Sequence, residues 1–160
     1  MINFFSRLFA REPMLSEAGG RDAAGIAALH GVSFARGWSE QEVEGLLVDR
    51  HVIAHRAMTG SDMAGFILSR LVEDEAEILS VAVANPRRGR GLARTLLNLH
   101  LRRLAGLGAR AVFLEVDEYN AAAIRLYGRA GFHEISRRPN YYQGTGDKTA
   151  AALVLRRDLV

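Results

Sequence analysis

The run Val81-Ala82-Val83-Ala84-Asn85-Pro86-Arg87-Arg88-Gly89-Arg90-Gly91-Leu92-Ala93-Arg94 constrains this chain more than any other segment. It reads as an apolar strand, a basic turn holding two glycines, and the first turn of a long amphipathic helix. A helix start leaves backbone N–H groups without intrahelical partners and carries partial positive charge. Glycine at position 91 lets an anion approach the backbone where a Cβ would obstruct it, and Arg88 and Arg90 add full charges. Such a segment is a socket for a phosphate or pyrophosphate.

The socket belongs to a chain of 160 residues, a length that suits one domain and is short for two. We expect an arm over 1–13 and a single domain over 14–160. The arm carries Phe4, Phe5 and Phe9 beside Arg7 and Arg11 but lacks the long apolar core of a signal peptide. No apolar run is long enough to span a bilayer, and there is no cysteine, so disulfides, thiolate metal sites and a cysteine nucleophile are excluded. The five histidines are scattered without metal-ligand spacing, so no metal is expected. A cytoplasmic protein, a monomer or weak dimer with no membrane partner, fits this composition. Of the 21 basic residues, Lys148 is the only lysine. Arginines bind phosphate in a forked geometry, on a cofactor or on RNA.

Around the socket, periodicity predicts a strand at 14–18 and a helix capped by Asp22. Ser39 and Glu42 form a capping box for a second, short helix. Strands follow at 51–58, 63–71 and 77–83, joined by turns short enough for antiparallel hairpins. The long helix runs from Gly91 to about Leu107 and turns Leu96, Leu97, His100, Leu101 and Leu104 inward. A strand at 111–116, a helix capped by Asn120, and strands at 132–138 and 151–157 complete the order, with a polar loop from Pro139 to Lys148. Helices on both faces of a mixed α/β sheet follow.

Two side chains stand out as chemical candidates. Glu115 sits where a mostly buried strand emerges, so its carboxylate can be partly desolvated and take a proton from an amine through a water. An ion pair with Arg110 or Arg137 would explain it equally well. Tyr127, on an inward helix face, carries a hydroxyl that needs a partner if buried, although core packing alone would account for it.

Taken together, these segments resemble the GCN5-related N-acetyltransferase (GNAT) superfamily. Arg88, Gly91 and Ala93 fit its coenzyme motif. The run from Phe113 to Phe132, with Leu114-Glu115-Val116, Asn120-Ala121-Ala122-Ala123-Ile124, Leu126-Tyr127 and Gly131-Phe132, matches its second signature. With Trp38-Ser39-Glu40 and Asn140-Tyr141-Tyr142, the chain looks like the RimI-like branch, whose members acetylate the N-terminal alanine of a small-subunit ribosomal protein.

The resemblance implies the superfamily's fold, a mixed, mostly antiparallel central sheet flanked by helices on both faces. It implies acetyl-CoA as cosubstrate. Val81, Ala82 and Val83 would pair with the pantetheine arm; Gly89, Arg90, Gly91, Leu92, Ala93 and Arg94 would give N–H groups to the pyrophosphate; Asn120 would touch the coenzyme further along. Glu115 would be the proton acceptor and Tyr127 the proton donor. Trp38, Tyr141 and Tyr142 would shape the groove for a protein N-terminus, with no direct contact to nucleic acid. An α-amine, with a pKa near 7.7–8.0, costs roughly 1 kcal/mol to deprotonate at neutral pH, against over 4 for lysine near 10.4. A modest base therefore suits an N-terminal acceptor.

The chain departs from the branch where the acceptor would lie. Arg36-Gly37 stands in place of Phe-Pro, Pro139 is inserted, and Thr149-Ala150 replaces an acidic pair. An acetyltransferase for small amines or lysine side chains is the serious competitor. A dinucleotide-binding enzyme fails at the third glycine of its fingerprint, which is Arg94 here. A non-catalytic ribosome- or RNA-binding module would interleave aromatic and basic residues, and Arg87 to Arg94 does not.

Overall fold

Strand-forming runs dominate from residue 52 onward, and the computed structural model gathers the strands into one sheet; it describes residues 11–143 and 149–160. In chain order the elements are β1 (Met14–Glu17), α1 (Ala23–Ser33), α2 (Glu40–Val48), β2 (Val52–Thr59), β3 (Asp62–Val72) and β4 (Glu75–Val83). Then come α3 (Leu92–Gly106), β5 (Ala111–Asp117), α4 (Ala121–Arg129), β6 (His133–Gln143) and β7 (Thr149–Asp158). Across the sheet the order is β1-β2-β3-β4-β5-β7-β6. All neighbours are antiparallel except β4 and β5, which run parallel because α3 carries the chain back over the sheet.

Strand β3 shows how the two layers form. Phe66, Ile67 and Leu68 are all fully buried, as a strand covered on both faces requires. Ile67 packs with Leu96, Leu97 and Leu104 of α3. Phe66 and Leu68, pointing the other way, pack with Ile26 of α1 and Val43 of α2. The α3 layer also takes Tyr127 and Phe132, whose rings meet edge to face at 5.5 Å.

Strand β4 contains a bulge. Leu68 pairs with Ser80 but Ser69 with Ile78, so Leu79 has no partner of its own. The extra residue reverses the facing of the strand. Ala76 and Ile78 belong to the α3 layer before it, and Ala82 to the α1–α2 layer after it.

Two local expectations are corrected. Asp22 does not cap α1 with its side chain; its carboxylate accepts from the Gly19 N–H (2.9 Å) and pairs with Arg56. The chain after 138 is not simply a loop, because β6 continues to Gln143. It absorbs Pro139 in a bulge: Arg138 faces Ala152 and Tyr142 faces Ala150, so the register shifts between them. Asn140 adopts φ 55°, and its Oδ1 accepts a 2.6 Å bond from Thr149. Residues 1–10 of the expected arm, and 144–148 of the expected loop, lie outside the described residues.

Candidate active site

Parallel pairing of β4 with β5 stops almost as soon as it starts. Three pairs hold them, Glu75–Ala111, Ala76–Val112 and Glu77–Phe113. Strand β4 nevertheless continues to Val83 and β5 to Asp117. Beyond Glu77 the register gives the β4 edge no β5 partner, so a notch opens between the strands. Val81, Ala82 and Val83 line it, each bound on its other side to β3 opposite Ile67, Phe66 and Gly65. A sheet edge of this kind presents N–H and C=O groups to an extended ligand.

At the open end of the notch the chain turns through a short 3-10 segment, Asn85–Arg87, into α3. Gly91 caps α3 at φ 80° and ψ 9°, a left-handed conformation that glycine adopts without steric cost. Gly89, at φ 75°, is left-handed too. A Cβ at Gly91 would meet nothing of the protein within 4 Å, so the backbone there faces open space. No side chain caps α3 and no acidic residue lies in its first turn. The N–H groups at Leu92, Ala93 and Arg94 thus begin a helix of 15 residues without a competing anion. Arg90 and Arg94 are exposed beside them.

Arg88 has a more structural part than expected. Its Nε donates to the Val83 carbonyl at 3.0 Å, which closes the loop back onto the end of β4. Arg87 reaches toward the Arg11 carbonyl and, with Arg90, Glu12 and Pro13, lines a cavity of about 190 Å³.

On the α1–α2 side of the sheet lies a cleft of about 710 Å³, lined by Trp38, Glu42, Leu46, Arg70, Glu77, Ile78, Leu79, Glu115 and Tyr141. Residues from β4 and β5 on the two lips of the notch therefore also form the floor of this cleft. Glu115 opens into it with 29% of its side chain exposed, and its carboxylate pairs with Arg138 at 3.3 Å. The partner is neither Arg110 nor Arg137. Arg138 in turn lies 5.3 Å over the Tyr141 ring. Arg137 instead pairs with Glu118 and Glu134.

Tyr127 sits in the other layer, only 8% exposed, and burial pushes its hydroxyl up to about 12. It is a phenol that keeps its proton throughout the physiological range. Leu114 and Val116 pack in the same layer as Tyr127, while Glu115 between them faces the cleft. The expected acid and base thus approach β5 from opposite faces.

Asn120 caps α4 as expected, its Oδ1 accepting from the Ala123 N–H at 3.2 Å. Trp38 and Tyr141 both line the cleft. Tyr142 pairs through its backbone with Ala150, and its side chain lies outside what is described. Sequence reasoning missed Arg138, Glu42 and Glu77 as lining or pairing groups. Glu42 was visible only as half of a capping box, a role it does fill through Ser39.

A sheet that parts beside a helix start with free N–H groups suits an extended anionic ligand, and this chain belongs to the acetyltransferase (GNAT) family, whose model matches residues 25–132. It is an acetyl-CoA-dependent N-acetyltransferase. Among its relatives is the [ribosomal protein bS18]-alanine N-acetyltransferase of Salmonella typhimurium, 38% identical over 120 residues, which span 72% of this chain and 80% of the relative. The crystal structure of the ribosomal-protein-S18-alanine N-acetyltransferase from Escherichia coli superposes with a TM-score of 0.85 at 28% identity, covering 92% of this chain and 94% of that one. Arabidopsis thaliana NAA60 in complex with acetyl-CoA shares the fold, with a TM-score of 0.81 at 19% identity over 92% of this chain and 98% of the other.

Proposed function

We propose that this protein transfers acetyl from acetyl-CoA to the α-amine of a protein N-terminus, the N-terminal alanine of a small-subunit ribosomal protein, in the cytoplasm. The observation that carries this reading is Glu115, whose carboxylate opens into the acceptor-sized cleft where β4 and β5 part. Glu42 and Glu77 line the same cleft, so a cationic N-terminus meets carboxylates on entry. The printed names of the bacterial relatives support the choice of acceptor.

Each residue has a task. The α3 N-terminus, with Gly89 to Arg94, holds the pyrophosphate, and Asn120 lies further along the coenzyme. The free edge of Val81 to Val83 orders the pantetheine arm and turns the thioester carbonyl toward a backbone N–H near Val83. Glu115, directly or through a water, takes the proton from the acceptor ammonium, so that the neutral amine attacks the carbonyl carbon. Collapse breaks the C–S bond, and the Tyr127 hydroxyl gives its proton to the departing sulfur. Burial that disfavours a tyrosinate disfavours a bare thiolate in the same place, so the proton moves as the bond breaks. Tyr127 recovers a proton from the amine nitrogen, directly or through solvent. Trp38 and Tyr141 wall the acceptor groove.

The test is incubation with acetyl-CoA and three peptides, one starting Ala-Arg, one starting Met-Lys, and one with a blocked N-terminus and an internal lysine. Intact mass should show one acetyl group on the Ala-Arg peptide. Transfer to the blocked peptide alone, or only to small amines, would overturn the choice of acceptor.

A further inference from the structure

One wall of the cleft, at Trp38, is hung from one buried histidine. His30, on α1 and only 4% exposed, accepts the Trp38 backbone N–H on Nδ1 at 3.0 Å. Its ring also stacks on the Trp38 indole, with centroids 4.0 Å apart and planes 11° from parallel. Phe34 lies against the same imidazole at 4.4 Å, and Phe66 of β3 at 6.4 Å. An Nδ1 that accepts must be unprotonated, which places the proton of the neutral ring on Nε2.

The connection from α1 to α2 has few other holds. Phe34 N–H bonds the His30 carbonyl at 3.1 Å, and Ser39 N–H bonds Glu42 at 2.8 Å. Between them, Gly37 lies so close to α1 that a Cβ would come within 2.8 Å of the Gly31 Cα. The chain therefore presses onto α1 at Gly37 and is gripped at the next residue by His30.

We infer that His30 is a positioning residue that sets Trp38 against the acceptor cleft, and that its neutral form is the form competent to bind the acceptor. The inference rests on the acceptor assignment above. A proton added at Nδ1 turns the acceptor into a donor facing the Trp38 N–H, and two donors cannot bond each other. The charged groups that face His30 are Glu42 from α2 and Arg36 from the connecting loop, themselves paired at 3.0 Å. Burial holds His30 below its ordinary value, the largest effect, while Glu42 raises it and Arg36 lowers it less strongly. The grip therefore holds at neutral pH and releases on the acid side.

Trp38 is the sole tryptophan of the chain, so intrinsic fluorescence reports this contact without any substrate. Emission of the intact protein should fall on acidification below the ordinary histidine value of about 6.5, because a charged imidazolium beside indole quenches it, while far-UV circular dichroism stays constant. His30→Asn, which keeps an acceptor near the Nδ1 position, should lose this titration but keep the acceptor-peptide KM near that of the unmodified protein. His30→Phe keeps a ring but no acceptor, and should raise the peptide KM about fivefold, the factor equivalent to one ordinary hydrogen bond. Its KM for acetyl-CoA should not change. Flat emission down to the unfolding pH, or a peptide KM unmoved in His30→Phe while Trp38→Ala raises it, would overturn the inference alone. If neither Trp38→Ala nor His30→Phe moves the peptide KM, the assignment of the cleft falls with it.

Discussion

The carboxylate of Glu115 on β5 lies 3.3 Å from the guanidinium of Arg138 on β6, reaching across β7 between them. Both side chains are accessible, 29% for Glu115 and 57% for Arg138, so water screens the pair. Arg138→Gln should therefore change unfolding free energy by less than about 1 kcal/mol in urea titration. An entering ammonium competes with Arg138 for one carboxylate, so the same variant should not raise the acceptor KM. A raised KM would mean that Arg138 itself touches the acceptor.

Removing the proposed base or acid should affect chemistry rather than binding. Glu115→Gln and Tyr127→Phe should each lower turnover by about 10²–10⁴, the range for a positioned acid or base. Coenzyme affinity by calorimetry should stay within roughly threefold. Near-normal turnover in both variants would refute the roles.

The tyrosine also sets a limit on the alkaline side. An acid works in its protonated form, and burial has moved Tyr127 up to about 12, so the working form persists at every pH below that. The rate should show no decline between pH 8 and 10 that depends on Tyr127. A decline there that vanishes in Tyr127→Phe would contradict the protonated phenol.

At the start of α3 two substitutions separate strain from charge. Gly91→Ala places a Cβ in a left-handed conformation, at a cost of about 1–2 kcal/mol, with open space around it. Gly91→Glu adds an anion where the pyrophosphate would lie. The alanine variant should bind acetyl-CoA more weakly, and the glutamate variant should show no binding heat. Retained affinity in Gly91→Glu would remove the phosphate socket.

A buried polar chain, unconnected with the cleft, should govern acid stability. His100 Nε2 meets Ser69 Oγ at 2.7 Å, and its Nδ1 meets His55 Nδ1 at 2.7 Å. One Nδ1 must carry the proton and the other accept it. Burial, with His55 beside it, pulls His100 down to about 3 from 6.5. The unfolded chain takes up this proton below about 6.5, and the folded protein does not until about 3. Stability is therefore complete above 6.5 and falls by about 1.4 kcal/mol per pH unit on acidification. Urea midpoints from pH 7 to 5 should fall less steeply in His100→Gln than in the unmodified protein.

Features carried by neighbouring residues were legible in the sequence. The glycine turn, the Ser39–Glu42 box, the Asn120 cap and the inward face of α3 all depend on contacts within a few positions. What was not legible depends on register between distant strands. The three-pair limit of the β4–β5 ladder and the bulge at Leu79 leave no local mark. Arg138 rather than Arg137 meets Glu115 because the β6–β7 register shifts between Glu134 and Ser136. Pro139 reads as the end of a strand, yet a bulge lets β6 pass it. His30 carries no local mark beyond its place in the helix that follows Asp22, and only the return of the chain at Gly37 brings Trp38 onto it.

The short β4–β5 ladder has a mechanical consequence. The sheet is sewn together at one end of its central seam, and a coenzyme lying in the open part, as proposed, would supply the missing stitches. The backbone amides along both lips should then exchange hydrogen fastest in the empty protein and slow most when the seam is filled. Melting should rise in step, by about 2.7 kcal/mol of added stability at a hundredfold excess over Kd. Coenzyme bound as proposed would be a structural member of the sheet as well as a reagent.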